Sequence, residues 1–184
     1  MAVAGLAAVA VLHFLEKPPA PALPSHFQLQ VSESNAAAPY LSPDGRKVAF
    51  CVGGRLWVRF LESGESRDLA ASELGVPFWS PDSKSIGYNS ALGKLKKIEV
   101  AGGVPQAVTD MRSHVWRGGA WNKDDTIIFG DGRIGLFRVS ASGGVPVQIT
   151  SLDFAQHETA HYCPSFLPDG RHFVYTRSTA DEGK

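Results

Sequence analysis

The chain has 184 residues, with 18 lysines and arginines against 18 aspartates and glutamates, so its formal charge at pH 7 is zero. This balance argues against a nucleic-acid-binding module, because neutralising phosphates needs a basic surplus or a strongly basic face. Apolar residues make up 43% and charged residues 20%, which indicates a globular domain rather than a disordered chain. The 19 glycines and 12 prolines are scattered at turn-like positions, and this favours many short strands over a helical bundle.

The first 25 residues form two segments that differ from the rest of the chain. Residues 1–16 are apolar but shorter than the roughly 20 residues that cross a bilayer as a helix. We interpret them as a short hydrophobic helix that is part of a membrane segment; the alternatives are a cleaved secretory signal, which would start with basic residues, and a buried core helix. Residues 17–25 are proline-rich and predict a stiff spacer. We therefore expect residues 26–184 to form a domain tethered outside the membrane or, alternatively, located in the periplasm.

Four similar segments repeat along this domain. In each, a turn containing an aspartate is followed by alternating apolar residues. The shared aspartates, at positions 44, 82, 124 and 169, are spaced by 38, 42 and 45 residues, and the four segments align without gaps. A period near 40 residues with four strands per unit is typical of β-propeller blades.

The residues of the first turn predict its conformation. Pro43 presets φ for the second position of a type I turn, Asp44 accepts hydrogen bonds from nearby backbone N–H groups, and Gly45 adopts the positive φ that follows. The turn residues of this and the later repeats are Ser42, Pro43, Asp44, Gly45, Ser80, Pro81, Asp82, Asp124, Pro168, Asp169 and Gly170. We expect these aspartates to have a structural role and not a catalytic one.

Each repeat continues with further strand signals. In two repeats a third strand leads to the tight turns Gly102–Pro105 and Gly143–Pro146, and a short closing strand follows. The pattern predicts three four-stranded blades and the first two strands of a fourth, with Phe27–Val31 as a leading strand. The predicted fold is thus all-β, a partial β-propeller of about three and a half antiparallel blades.

The repeats resemble the PD40, or TolB-like, class of WD40-type β-propeller repeats over residues 38–176. The runs Lys96–Pro105, Arg117–Asn122 and His161–Tyr175 resemble bacterial proteins in which a cytoplasmic serine/threonine kinase domain, one transmembrane helix and an extracytoplasmic propeller follow one another. This resemblance implies a non-catalytic module for binding or sensing a protein or a small ligand. The chain has no kinase signature, so kinase activity is not carried over. The alternatives are the propeller that precedes the hydrolase domain of prolyl-oligopeptidase-type peptidases and a periplasmic TolB-like scaffold.

Two short motifs suggest chemistry that their surroundings do not support. His157-Glu158-Thr159-Ala160-His161 matches the zinc-protease pattern, which needs both histidines on one helical face and a third ligand. We predict an inter-blade loop instead, in which His157 and His161 are weak metal candidates and His161 fixes one blade to the next. Gly130–Gly135 matches a dinucleotide fingerprint, but a strand follows it rather than a helix, so we predict a hairpin turn.

Three residues are candidates for a binding surface. Trp116 is outside the repeated positions, in what we predict to be a loop before the third blade, and packing explains such an aromatic less easily. Arg117 and His161 complete the set. We expect no cofactor, no metal and no catalytic residue in this chain.

The number of blades predicts that this chain does not close a propeller by itself. Six or seven blades of about 40 residues would need about 240–280 residues. We therefore expect missing blades or a second copy of the chain to complete the ring. Cys51 and Cys163 are too few for a disulfide framework, and we predict that both are buried.

Overall fold

The computed structural model describes residues 38–71, 76–90, 92–113 and 115–180, all within a compact unit that spans residues 31–184. The predicted hydrophobic helix (residues 1–16), spacer (17–25) and leading strand (27–31) lie outside the described residues. Within the described ranges, no helix has the length and apolar character needed to cross a membrane.

The described chain folds into fourteen strands and one turn of 3₁₀ helix. The strands are β1 (Tyr40–Leu41), β2 (Lys47–Val52), β3 (Arg55–Phe60), β4 (Ser66–Ala71), β5 (Phe78–Trp79), β6 (Ser85–Ser90), β7 (Lys94–Glu99), β8 (Gln106–Asp110), β9 (Trp116–Trp121), β10 (Thr126–Asp131), β11 (Gly135–Ser140), β12 (Val147–Gln148), β13 (Glu158–Phe166) and β14 (Phe173–Thr179). The 3₁₀ turn spans Phe154–Gln156, before β13.

The strands form four antiparallel sheets in chain order. Blade 1 is β1–β4, blade 2 is β5–β8, blade 3 is β9–β12 and blade 4 is the pair β13–β14. Within each blade consecutive strands are neighbours, and the first strand lies at one edge of the sheet. The prediction of three four-stranded blades and half of a fourth is confirmed, as is the all-β, partial-propeller fold.

The first hairpin turn has the predicted chemistry. The Gly45 N–H donates to the Ser42 carbonyl at 2.8 Å, and Gly45 has a φ of 70°, which places it in the left-handed region. The Asp44 carboxylate accepts from the Arg46 N–H at 3.0 Å, and the Ser42 hydroxyl accepts from the Lys47 N–H at 2.9 Å. Blade 2 repeats these contacts at Ser80 and Asp82.

The third turn is one residue shorter than the others, so the gap-free alignment was wrong at this position. The Asn122 N–H donates to the Thr126 carbonyl, four residues on, whereas the Ser42 N–H donates to Lys47, five residues on. The Asn122 side-chain oxygen accepts from the Asp124 and Thr126 N–H groups at 3.0 and 2.9 Å. An amide therefore replaces the serine hydroxyl in blade 3 and shortens the loop.

These turns also join neighbouring blades. The Asp44 N–H of blade 1 donates to the Ser83 hydroxyl of blade 2 at 3.0 Å. The Asn122 side-chain amide of blade 3 donates to the Gly170 carbonyl of blade 4 at 2.8 Å, in a buried position. The same element thus closes a hairpin within one sheet and fixes that sheet to the next.

The core lies between the faces of adjacent blades. One buried cluster joins blades 1 and 2 around Leu56, Val58 and Ile86, which are fully buried. A second joins blades 2 and 3 around Phe129 and Phe137. Burying such side chains between stacked sheets is the main stabilising term for an all-β array.

Phe78 is wedged between two glycines of adjacent blades. A Cβ atom on Gly87 of blade 2 would lie 2.1 Å from the Phe78 ring, and one on Gly119 of blade 3 would lie 2.6 Å from it. Both positions therefore need a residue without a side chain. The glycines allow the ring to fill the space between the two sheets.

Blade 4 differs from the others in the exposure of its second strand. The strands β2, β6 and β10 are buried over most of their length, whereas β14 is mainly exposed. Val174 is 54% exposed, and Ala49, which occupies the matching position in blade 1, is fully buried. In the described part of the chain, β14 pairs with β13 alone.

The two cysteines have different environments, so one of the two burial predictions was wrong. Cys51 is buried in β2, as expected, but Cys163 is exposed. Cys163 has a φ of 50° and lies where the pairing of β13 with β14 shifts register. This irregularity turns the residue away from the core.

We predict that Gly87→Ala lowers the free energy of unfolding by about 1–3 kcal/mol, because the added methyl group overpacks the contact with Phe78. Urea unfolding of the full chain measures this change. In a Phe78→Leu background the ring that the new methyl group would contact is absent, so Gly87→Ala should cost less stability there. Equal penalties in both backgrounds would contradict the proposed contact.

We also predict that stability falls as the pH drops from about 4 to about 2. Burial alone would raise the pKa of Asp44, but hydrogen bonds from Lys47, Ser42 and the Arg46 amide lower it to about 2. A hydrogen bond from His172, with backbone amides, lowers the pKa of Asp169 to about 2 as well. Each depressed pKa contributes stability above the unfolded value, near 4, and this contribution is lost on protonation.

Urea midpoints measured from pH 2 to pH 6 test this pH dependence. Asp44→Asn should lower the midpoint at pH 6 and flatten the curve below pH 4. Glu62→Gln, on an exposed side chain, serves as the control. Parallel curves for the wild type and Asp44→Asn would refute a stabilising role for the ionised Asp44 carboxylate.

Candidate functional site

The innermost strands of the four blades surround a cavity of about 460 Å³. The described residues of the lining come from β1, β5, β9 and β13 and from the residues next to these strands. The lining residues are Tyr40, Leu41, Pro43, Val76, Pro77, Phe78, Trp79, Gly118, Gly119, Ala120, Trp121, Cys163, Pro164, Ser165 and Phe166. The cavity thus depends on all four blades being stacked.

The chemistry of the lining is apolar and aromatic. Among the described residues of the lining, five side chains are aromatic and none is charged. Leu41 is 59% exposed, so its aliphatic side chain is accessible to a ligand in the cavity. Each of these strands is the edge strand of its sheet on the cavity side. The backbone N–H and C=O groups that point away from the neighbouring strand are therefore not paired within that sheet. Such a site suits an uncharged, apolar ligand that can also accept or donate backbone-type hydrogen bonds.

Blade 1 and blade 4 both contribute residues to the lining of this cavity. Burial raises the pKa of Tyr40 in β1, and interaction with Cys163 in β13 and Cys51 in β2 adds to the rise. A Cβ on Gly118 of β9 would lie 3.3 Å from the Cys163 backbone. The glycine therefore allows β9 and β13 to approach closely.

Trp116 lies within β9 rather than in a loop, so that part of the prediction was wrong. Its ring stacks on Phe78 and on Phe129, with ring centroids 6.0 and 6.5 Å apart, and its indole N–H donates to the Val76 carbonyl at 3.2 Å. The ring thus packs within blade 3 on Phe129 and against blade 2 on Phe78, which accounts for an aromatic residue at this position. A role for Trp116 in binding stays a prediction.

The histidine motif does not form a helical metal site. His157 follows the 3₁₀ turn with a left-handed φ of 54°, and Glu158 to His161 belong to β13. The expected inter-blade loop therefore includes only the first residue of the motif, His157. In the described ranges, no group of three or more histidines, cysteines or acidic residues could hold a metal ion.

His161 instead belongs to a buried hydrogen-bond network between blades 3 and 4. Its Nδ1 lies 2.9 Å from the Thr150 hydroxyl, and its Nε2 lies 3.0 Å from the Glu158 carboxylate. The Thr150 oxygen also accepts from the Leu136 N–H of β11 at 2.8 Å. Thr150 can therefore donate its own proton to Nδ1, which leaves Nε2 as the nitrogen that donates to Glu158. His161 joins the two blades, as the sequence suggested.

Glu158 is the charged centre of this network. It is 5% exposed and accepts from the Asp153 N–H at 2.7 Å and from the Arg177 guanidinium at 3.0 Å. The Asp153 N–H is the main cause that lowers the pKa of Glu158, and His161 and Arg177 contribute further. A carboxylate held this way is structural.

The glycine motif at 130–135 forms the β10–β11 hairpin turn, as predicted. Sequence reasoning missed the role of Asp131 within this motif; its side chain is 1% exposed and accepts from the Arg112 and Ser113 N–H groups at 2.6 and 2.9 Å. Asp131 thereby holds the loop between blades 2 and 3. Blades 1 and 2 have Val52 and Ser90 at the matching strand end, so the repeat gave no signal for it.

Comparison with known proteins identifies the fold of this chain but does not assign it an activity. No protein-family model matches the chain. The chain is 28% identical over 159 residues to a protein of Bacillus subtilis (strain 168) named as an uncharacterized peptidase, YuxL; the match covers 81% of this chain and 23% of that protein. The chain thus spans less than a quarter of this relative.

Several solved structures have a fold similar to that of this chain. A TolB-like protein from Agrobacterium tumefaciens matches with a TM-score of 0.55 and 19% identity, over 79% of this chain and 71% of that one. The Cps50 (Swd1) β-propeller domain from Myceliophteria thermophila matches with a TM-score of 0.60 and 13% identity, over 79% and 51%. Oligogalacturonate lyase from Vibrio parahaemolyticus gives 0.58 and 14%, over 78% and 47%. The chain has the fold of TolB-like and WD40-type propellers.

We predict that Thr150→Val lowers the free energy of unfolding by about 1–3 kcal/mol, because it leaves the Leu136 N–H and the His161 Nδ1 without partners. Thermal and urea unfolding of the full chain measure the loss. Thr176→Val makes the same chemical change on the exposed strand β14 and should be nearly neutral. If both variants are equally stable, the network does not hold blades 3 and 4 together.

Proposed function

We propose that this chain is a non-catalytic β-propeller module that binds an apolar, extended segment of a polypeptide in the cavity between its innermost strands. The observation that carries this proposal is the composition of the cavity: the described residues that line it are mainly aromatic, aliphatic and proline residues, and none of them is charged. Concave apolar sites with a few polar backbone groups are the usual binding sites of such scaffolds. Within the described part of the chain the inner edges of these strands have no partner strand, so they offer main-chain hydrogen bonds to an extended ligand.

The occupation of the polar side chains supports a binding role over catalysis. The turn aspartates accept backbone N–H groups, Asp131 caps a loop, and the nitrogens of His161 are both engaged. A catalytic acid or base needs access to substrate, and these groups are committed to the fold. The fold itself does not decide function, so the cavity is the basis of the proposal.

We further propose that the module works as part of a larger assembly. Blade 4 has two described strands where the other blades have four, and the strand β14 is exposed at positions that are buried elsewhere. Blades from adjoining polypeptide, or from a second copy, would cover it. The membrane-tethered location also stays a proposal, based on the apolar residues 1–16 and the spacer.

A second candidate is the propeller domain of a peptidase. The match to the Bacillus subtilis peptidase, over 23% of its length, favours this candidate. The kinase-associated layout has no such support from the relatives named above and depends on the sequence resemblance alone. The reading frame on either side of the chain discriminates between them: a downstream domain with a Gly-x-Ser-x-Gly motif indicates the peptidase, and an upstream kinase domain indicates the sensor.

We predict that Leu41→Asp weakens binding of the capped peptide acetyl-Leu-Phe-amide by about tenfold or more, because it replaces an apolar contact with a charge. Tryptophan fluorescence of the full chain measures the affinity, since Trp79 and Trp121 line the cavity. Leu41 is exposed, so the fold should tolerate the change. Val145→Asp, on a side chain that is 87% exposed in a turn outside the lining, is the matched control.

Two outcomes would contradict the binding proposal. One is the absence of any binding of the peptide to the wild-type chain. The other is equal weakening by Leu41→Asp and Val145→Asp, which would indicate a general charge effect instead of a cavity site.

A further inference from the structure

A smaller cavity, of about 280 Å³, lies on blade 2 and shares no lining residue with the cavity between the innermost strands. We call it the blade 2 cavity. Its volume is just below the roughly 300–1,000 Å³ of typical ligand pockets, so it suits a small molecule. The described residues that line it are Ser85, Lys97, Ile98, Glu99, Gly102, Gly103, Val104 and Gln106.

Four polar side chains of the blade 2 cavity project from one face of the sheet. Lys97 and Glu99 are two residues apart on β7, so their side chains point to the same side. Ser85 of β6 lies opposite Glu99, and Gln106 of β8 lies opposite Lys97. Side chains of directly opposed residues share a face as well. Three neighbouring strands thus bring a hydroxyl, an ammonium, a carboxylate and an amide group together.

This face of blade 2 is turned toward blade 3. Leu95, two residues before Lys97, belongs to the buried cluster that joins the two blades. The Lys97 Nζ lies 6.0 Å from the centre of the Trp121 ring in β9, which is the range of a cation–π contact. This contact positions the ammonium group without using it in an ion pair.

The two charged groups of the blade 2 cavity are not paired with each other. Within the described part of the chain, Lys97 and Glu99 make no ion pair, and the side chains of Ser85 and Gln106 make no hydrogen bond. An ammonium and a carboxylate group that line one cavity unpaired can each bind a group of opposite charge. Because their charges sum to zero, the ligand that matches them carries both signs and no net charge.

The blade architecture does not require this set of side chains. Blade 3 has Thr126, Arg138, Ser140 and Val147 at the matching strand positions. The ammonium position thus keeps a cation, but a hydroxyl replaces the carboxylate and an isopropyl group replaces the amide. The Ser140 hydroxyl lies 2.7 Å from that of Ser142, so it is engaged within its own turn. Of these two blades, blade 2 alone has opposite charges on this face.

We propose that the blade 2 cavity binds a small zwitterion, such as a free α-amino acid. The ligand carboxylate pairs with Lys97, and the ligand ammonium group pairs with Glu99. Ser85 and Gln106 supply further hydrogen bonds, since a hydroxyl and an amide can each donate and accept. Charge-assisted hydrogen bonds at both ends select a zwitterion over molecules with one charge. This proposal does not depend on the peptide-binding function proposed above.

The test titrates L-alanine, lactate and alaninamide into the full chain. Lactate keeps the carboxylate but lacks the ammonium group, and alaninamide keeps the ammonium group but lacks the carboxylate. ¹H–¹⁵N spectra follow the backbone signals of Ser85, Gly102 and Gly103 and the indole signal of Trp121. We expect L-alanine to bind about tenfold more tightly than either analogue, because each analogue loses one charge-assisted contact.

Variants locate the effect. Lys97→Gln and Glu99→Gln should each abolish the preference for L-alanine. The double variant Lys97→Glu/Glu99→Lys should bind L-alanine better than either single charge reversal, because a zwitterion can bind in the reverse orientation. Lys96→Gln is the matched control: Lys96 has the same charge on the same strand but points to the other face, so the preference should be kept. Indole N–H signals in the same spectra show whether each variant is folded.

Each contrary outcome refutes this proposal. If L-alanine leaves the signals of Ser85, Gly102 and Gly103 unchanged, or binds no more tightly than its two analogues, the blade 2 cavity does not recognise a zwitterion. If Lys96→Gln reduces the preference as much as Lys97→Gln does, the effect is one of general charge. A shift of the Trp79 indole signal alone would place the ligand in the central cavity instead. Binding of acetyl-Leu-Phe-amide is measured separately, so the two proposals can fail independently.

Discussion

The turn between the first two strands of each blade is the constraint on which the rest of the structure depends. A residue in the left-handed conformation closes it in every blade, whether that residue is Gly45, Ser83, Asp125 or Gly170. A side-chain oxygen accepts backbone N–H groups across the loop, which sets the register of the two strands. Because neighbouring turns also bond to each other, one small element specifies both the sheet and its stacking. The backbone conformation is what is repeated, and several residue types satisfy it.

Stacking in turn creates the cavity. Phe78 can lie between blades 2 and 3 only because Gly87 and Gly119 provide space, and this brings β5 and β9 together at the inner edge. Gly118 has the same effect between β9 and β13. Gly87, Gly118 and Gly119 therefore do not serve to form turns. Their lack of a side chain sets the distance between the sheets. The apolar site follows from that distance.

The sequence predicted the blades well because their signals are local. Pro43 and Asp44 belong to one turn, and alternation along β2 concerns six adjacent residues, so short-range rules suffice. The cavity was not predictable in this way, because Leu41, Trp121 and Phe166 come from different blades and meet only after stacking. The spacing of His157 and His161 suits a helix, yet a strand contains most of the motif, since pairing with β14 overrides the local pattern. Asp131 and the exposure of Cys163 likewise depend on tertiary contacts.

The two ends of the described array are chemically unlike, and this has a consequence for self-association. One end is a complete sheet, and the other is a pair of strands whose outer member, β14, carries Val174 and Tyr175 in exposed positions. Contact between unlike ends is heterologous, so each added copy presents a fresh open end to the next. Such growth stops only where the rotation between copies returns to the start. Blade geometry would therefore decide between a closed ring and a filament.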